Sequence, residues 1–256
     1  MISNLTIYDP GLGKVRIGRS WDGGYILPLQ SICQSEALFS YGVNDDWSFE
    51  THYVNATNKS ALLFDHTIKP ITFCGEIENK MTHFKEGLSA TKTQCTDNFL
   101  SHYEKYFDST FKKKVLLKLD VESAEYDFFL NTDIEKLAEI TTGFVVEFHH
   151  IDDETNQSMF FECLNRINKY FYLCHLHGNN YLDSFNYVEE RFYKTSQIKY
   201  YETFIIPKVL ELSFVNKSLV ANKIRDYNSY PCPILDKPNT VLRPECDLSF
   251  LKKIVS

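Results

Sequence analysis

The chain has 256 residues and no basic excess, with 27 Lys and Arg against 34 Asp and Glu, a net charge of −7. Its longest basic run is Lys112-Lys113-Lys114. That reads as a solvated helix end or loop, so a nucleic-acid partner is not expected. No apolar run approaches the roughly 20 residues that cross a bilayer. Met1 to Thr6 holds neither a basic cluster nor an apolar stretch, so neither a signal peptide nor a membrane segment is expected. The seven cysteines are odd in number and form no C-x-x-C pair. Reduced, mostly buried thiols in a cytoplasmic protein explain this better than a disulfide framework or a zinc site. Internal repeats and low-complexity linkers are also missing, so residues 1–256 read as one domain.

Glycine is scarce, and its placement is uneven: six of ten (Gly11, Gly13, Gly18, Gly23, Gly24, Gly42) lie in the first 42 residues. Glycine admits close approach of another group to the backbone, so ligand handling is expected near this end, with residues 1–36 as a cap. Four of the eight prolines (Pro231, Pro233, Pro238, Pro244) fall late in the chain. Residues 222–256 should therefore form an extended tail laid over the core, ending in a short segment at 248–255.

Short apolar runs suited to buried strands occupy 37–43, 61–64, 71–74, 115–121, 144–148 and 171–176. Amphipathic stretches at 97–107, 126–140 and 156–170 read as helices, and 50–57 as a shorter one. Segments 204–207 and 209–215 read as a late hairpin. The alternation predicts an α/β fold, a doubly wound Rossmann-like sheet that is mostly parallel with a late antiparallel strand. Ligands of such sheets bind at the carboxyl ends of the strands.

The polar residues at those ends are the informative ones. Gly42 ends the first strand and precedes Asn44, so a ligand can touch the backbone before a helix N-terminus; the bland reading is a turn and helix cap. Asp65 follows 23 positions after Gly42, near the ~20-residue spacing of a ribose-binding acid; taken alone it reads equally as an aspartate capping the next turn, and the pairing with Gly42 favours the ribose role. Lys118, Asp120 and Glu122 alternate and so share one strand face. Buried charges of this kind must pair or meet a ligand; a structural Lys–Glu pair is the alternative. Glu147 and His149 share a face of the fifth strand, followed by His150. The sixth delivers His175, His177, Asn179 and Asn180, so four of eight histidines gather at two strand ends.

The ordered set resembles the FkbM-like and METTL24-like S-adenosylmethionine-dependent methyltransferases over almost the whole chain. Its pieces are Asp22-Gly23-Gly24-Tyr25, Ser40-Tyr41-Gly42-Val43, Phe64-Asp65-His66-Thr67 and the run from Leu117 to Glu125. They continue in Val146-Glu147-Phe148-His149, His175 to Asn180, Glu211 to Val215 and Leu235 to Asn239. The family usually has glycine where this chain has Ser123, and its glycine-rich first motif is thin here. The resemblance implies a class I fold and transfer of a methyl group from S-adenosylmethionine, releasing S-adenosylhomocysteine. It further implies a sugar acceptor of capsule or surface-glycan biosynthesis, a heptose or related sugar, free or nucleotide-linked.

On that reading Asp65 takes the donor's ribose, and Gly42, Asn44 and Glu122 frame the donor. Asp22, Gly23, Gly24 and Tyr25 close over it. A hydroxyl is a poor nucleophile, so a base should help by about 10²–10⁴-fold. His149 ranks first, then Asp120 and His177. Glu147, His150, His175, Asn179 and Asn180 are the acceptor-side candidates. Asp120, Glu147 and His149 also offer a set for Mg²⁺ against a sugar diol. Two rivals stay open: a nucleotide-sugar glycosyltransferase using Asp120 and Glu122 as a D-x-D-like metal pair, and a binding module without activity. The aromatic group Tyr181, Phe185, Tyr187, Phe192, Tyr193, Tyr200 and Tyr201 suits sugar or guanine stacking, a homodimer contact, or packing beneath a loop.

Overall fold

The computed structural model describes residues 1–107, 113–192 and 199–255. Lys112 and Tyr193 therefore lie outside the described residues. Seven strands form the central sheet: β1 (Ala37–Tyr41), β2 (Ser60–Phe64), β3 (Met81–Phe84), β4 (Val115–Leu119), β5 (Thr141–Phe148), β6 (Phe171–Gly178) and β7 (Leu210–Asn216). Their spatial order is β6-β7-β5-β4-β1-β2-β3. The run from β5 to β3 is parallel, and β7 alone enters antiparallel, between β5 and β6. The order reverses between β1 and β4, which is where a doubly wound sheet opens its crevice.

Alternation along each strand divides the core. In β4, Val115, Leu117 and Leu119 join the larger apolar cluster, while Leu116 joins the smaller one on the other face. Helices α3 (Phe99–Tyr106), α4 (Ala124–Asn131), α5 (Ile134–Ile140) and α6 (Glu154–Ile167) carry the larger cluster. The other face is covered by α1 (Leu29–Gln34), α2 (Ser48–Thr57) and a hairpin pairing Lys14–Ile17 with Tyr25–Pro28. Side-chain caps start the helices after polar turns: Asn98 accepts from the Ser101 N–H, Asp133 from Glu135 and Lys136, and Asp153 from Thr155 and Asn156. Such a cap is worth about 1 kcal/mol. Asp133 divides the expected helix 126–140 in two.

Two further expectations fail. Residues 71–74 are not a strand; Phe73 is buried instead beneath α2, edge-on to Trp47 at 6.2 Å, and the third strand is Met81–Phe84. Residues 204–207 and 209–215 do not pair with each other. Lys199–Pro207 pairs with Ser184–Phe192 in a separate ribbon, and the chain then turns at Lys208 to send β7 into the main sheet. In that ribbon Tyr187 packs on Phe161 and Phe204, whereas Phe192 and Tyr201 are exposed. The late segment 222–255 has little regular structure before α7 (Phe250–Val255). No helix among the described residues is long and apolar enough to cross a membrane.

Candidate active site

A cavity of about 390 Å³ opens at the carboxyl ends of β1, β2 and β4, inside the ~300–1,000 Å³ range of ligand pockets. Asp22, Gly23, Gly42, Asn44, Asp65, Asp120 and Glu122 all line it, so seven of the expected residues converge. Gly42 closes β1 with φ +74°, and a Cβ there would lie 1.5 Å from the Asp120 carbonyl oxygen. The β1 and β4 ends can touch only because this residue is glycine. Asp65 sits just after β2. Its Oδ2 accepts the Val43 and Asn44 N–H groups at 3.0 and 2.9 Å, and its Oδ1 the Thr67 N–H and hydroxyl at 2.8 and 2.6 Å. Burial alone would raise its pKa, but these bonds hold it below the usual carboxylate range. Asp65 is thus an anion that also ties the β1 and β2 loops together.

The cavity wall is strongly acidic. Asp22, Asp45, Asp46, Asp65, Asp120 and Glu122 face Arg19 and Lys118. Arg19 is already paired with Asp46 at 3.1 Å. Lys118 donates to the Gly42 carbonyl and lies 3.6 Å from Asp120. Burial would lower the Lys118 pKa, but Asp120, Glu50 and Glu147 raise it, so the ammonium keeps its charge. Asp22 is held by Asn239 at 3.0 Å, and burial pushes its carboxyl up.

Behind Asp120 lies a second layer. The Tyr25 hydroxyl is within 3.0 Å of Asp120 Oδ2 and 3.2 Å of Glu147 Oε2. Its one phenolic hydrogen serves one of these oxygens at a time. Burial, with Asp120 and Glu211 nearby, lifts the Glu147 pKa well above the usual carboxylate range. Asn179 donates to its other oxygen at 2.7 Å. Tyr25 does not line the cavity and acts on Asp120 from beneath; Gly24 next to it packs against Arg16 and Arg19.

His149 reaches the same group from β5. Its Nε2 is 3.7 Å from both Asp120 Oδ1 and Glu122 Oε2, and its Nδ1 is 3.3 Å from Glu125. Burial would lower its pKa, but Glu125, Glu147 and Asp120 raise it to about 10, so it stands as an imidazolium at neutral pH. The expected Mg²⁺ set is not assembled, because Glu147 is spent on Tyr25 and Asn179. The nearest alternative replaces it with Glu122, ligand atoms of Asp120, Glu122 and His149 lying within 4.8 Å of one another.

The remaining candidates are placed elsewhere. His175 is fully buried against Asp236 at 2.7 Å, and His177 lies between Glu211 at 3.0 Å and Glu245 at 3.1 Å. Asn180 spends its side chain on the backbone of Thr240, Arg243 and Pro244. These three fasten the late segment to the sheet and do not line the cavity. His150 is exposed with φ +52°, and its carbonyl accepts from Asn156 at 3.2 Å. The sequence reading gave no role to Arg19, Asp46, Glu125, Glu211 or Asn239. Glu125, Glu211 and Asn239 lie within the quoted motif pieces, Glu125 closing the spaced acids of Asp120-Val121-Glu122-Ser123-Ala124-Glu125, whereas Arg19 and Asp46 carried no signal.

The acids, the strand-end glycine and the cavity at the switch point fit a donor with ribose hydroxyls and cationic sulfonium and ammonium groups. No curated protein matches the chain. Among solved structures, the Methanococcus jannaschii fibrillarin pre-rRNA processing protein is similar, with TM-score 0.40 and 8% identity over 74% of this chain and 70% of that one. PH1948 from Pyrococcus horikoshii, described as a proposed RNA methyltransferase, gives TM-score 0.34 and 10% identity over 72% and 76%. The family model for the methyltransferase FkbM domain matches residues 8–174, well over half of the chain. The chain belongs to the FkbM-domain family and is an S-adenosylmethionine-dependent methyltransferase.

Proposed function

We propose that the enzyme methylates a sugar hydroxyl, a heptose or related sugar of capsule or surface-glycan biosynthesis. The observation that carries this reading is the acid-lined cavity, in which both cations are already engaged by Asp46 and Asp120. Such a wall accepts hydrogen bonds from hydroxyls and favours a cationic donor. Bound S-adenosylmethionine supplies a methyl group activated by its sulfonium. The chain's own task is then alignment, worth roughly 7–11 kcal/mol in well-oriented reactions, and removal of one proton.

Asp65 takes the donor's ribose, with Gly42 and Asn44 along its backbone path. Asp120 takes the proton that the acceptor hydroxyl sheds as the new C–O bond forms. It replaces His149 as first choice for two reasons: it lines the cavity, and His149 already holds a proton. Tyr25 and Lys118 fix the Asp120 carboxylate from below. The His149 imidazolium offsets its charge.

The test is incubation with S-adenosylmethionine and a panel of free, nucleotide-linked and polymeric sugars. S-adenosylhomocysteine and the methylated product are read by mass spectrometry. A methyl ether on one sugar is expected; S-adenosylhomocysteine formation with an amine or thiol acceptor and with no sugar would contradict the proposal.

A further inference from the structure

Glu125 lies in the first turn of α4 with no exposed surface. A carboxylate removed from water needs a counter-charge and hydrogen bonds. Among the described residues both come from His149. Glu125 Oε1 accepts the His149 backbone N–H at 2.8 Å and faces its ring Nδ1 at 3.3 Å, while Oε2 has no partner. The next residue, Tyr126, donates its hydroxyl to the His149 carbonyl at 2.6 Å. One helical turn thus holds the N–H, the C=O and the ring of a single residue, more than packing alone requires. Two successive positive-φ residues, Glu122 at +49° and Ser123 at +82°, swing the chain so that this turn meets the end of β5. The free ring nitrogen, Nε2, is left 3.7 Å from the cavity-lining oxygens of Asp120 and Glu122.

We propose that Glu125 is a positioning residue for methyl transfer, fixing His149 through Nδ1 so that Nε2 stands behind Asp120 where the acceptor hydroxyl enters. The inference rests on the proposed function for its chemistry, but its geometry does not depend on the acceptor. As the acceptor oxygen bonds to the methyl carbon, the C–S electron pair returns to sulfur and the hydroxyl proton passes to Asp120. His149 takes no part in the transfer itself; its Nε2 stands 3.7 Å behind the Asp120 carboxylate. The titratable groups facing His149 are Glu122 and Glu125 from the α4 turn, Asp120 with Lys118 behind it from β4, and Glu147 from its own strand.

The test is Glu125→Gln, which keeps an acceptor for the His149 N–H and removes the charge. The His149 ring, whose pKa the surrounding carboxylates push up to about 10, is followed by ¹³C-edited NMR of the labelled holoenzyme. Its midpoint should fall by about one unit or more. The alkaline limb of kcat should move down with it, kcat should drop roughly tenfold, and KM for the donor should hold within about twofold. In a His149→Ala background the same change should cost no further activity, since both act through one ring. An unmoved His149 midpoint, or fully additive losses, would overturn the inference. Glu125→Asp, which withdraws the carboxylate by one methylene, gives the same titration readout if the glutamine variant does not fold. A moved midpoint in an enzyme that methylates no sugar would refute the proposed acceptor and leave the Glu125–His149 coupling intact.

Discussion

Ser123 adopts φ 82° and ψ −4°, the left-handed region, at the position where the family resemblance implies glycine. A side chain there is strained by roughly 1–2 kcal/mol, offset in part by the entropy glycine loses on folding. Ser123→Gly should therefore raise stability by about 0.5–1 kcal/mol, seen as a higher Tm in calorimetry; a lower Tm would mean that the hydroxyl makes up for the strain. Gly42→Ala should do the reverse. Its Cβ would collide with the Asp120 carbonyl at 1.5 Å, and positive φ adds to overpacking, a loss of about 3 kcal/mol or more. Asp65→Ala should weaken donor binding roughly tenfold by titration calorimetry, the scale of lost charge-assisted hydrogen bonds; unchanged affinity would remove Asp65 from the donor site. The spacing from Gly42 made Asp65 legible in the sequence. Its second task was not: the N–H groups of Val43, Asn44 and Thr67 that it accepts become visible only once the β1 and β2 loops are side by side.

At the scale of elements, histidines at the ends of β5 and β6 looked alike in sequence and serve different ends. His149 is clamped beside the cavity, while His175 and His177 bind the late segment, whose partners Asp236 and Glu245 lie far along the chain. Nothing local marks that distinction. It has a pH consequence. Burial would lower the His177 pKa, but Glu211 and Glu245 raise it to about 10. A raised folded pKa stabilises fully below the unfolded value of about 6.5, and that stability is lost as pH rises through about 10. His149 acts in the same direction. His175 has the opposite sign, its pKa lowered by burial despite Asp236, so its share is lost as pH falls below about 6.5. The Tm should thus fall by several degrees between about pH 7.5 and about pH 10.5, and His177→Gln should flatten that slope. An equal slope in the variant would show that the late segment is held by other contacts. Strand legibility followed burial. The runs that became β1, β2, β4, β5 and β6 were read directly, whereas the 71–74 run failed because Phe73 buries itself under α2 rather than in the sheet.

For the whole molecule, the order β6-β7-β5-β4-β1-β2-β3 puts three loops from distant parts of the chain at one edge. The alternation of strands and helices announced that sheet. The antiparallel insertion of β7 was foreseen as a late strand, but its pairing with β5 and β6 rather than with Lys199–Pro207 was not. The N-terminal hairpin and the late segment meet over the same edge, where Asn239 bridges Asp22 at 3.0 Å and Glu211 at 2.6 Å. Family membership displaces the glycosyltransferase reading of Asp120 and Glu122; on the proposed function their place beside His149 serves methyl transfer. The most direct measurement is a crystal structure with S-adenosylhomocysteine and the methylatable sugar bound. The account predicts the ribose against Asp65 and the accepting hydroxyl within hydrogen-bond reach of Asp120. A nucleoside bound elsewhere, or an acceptor oxygen facing His177 or His175 instead, would contradict it.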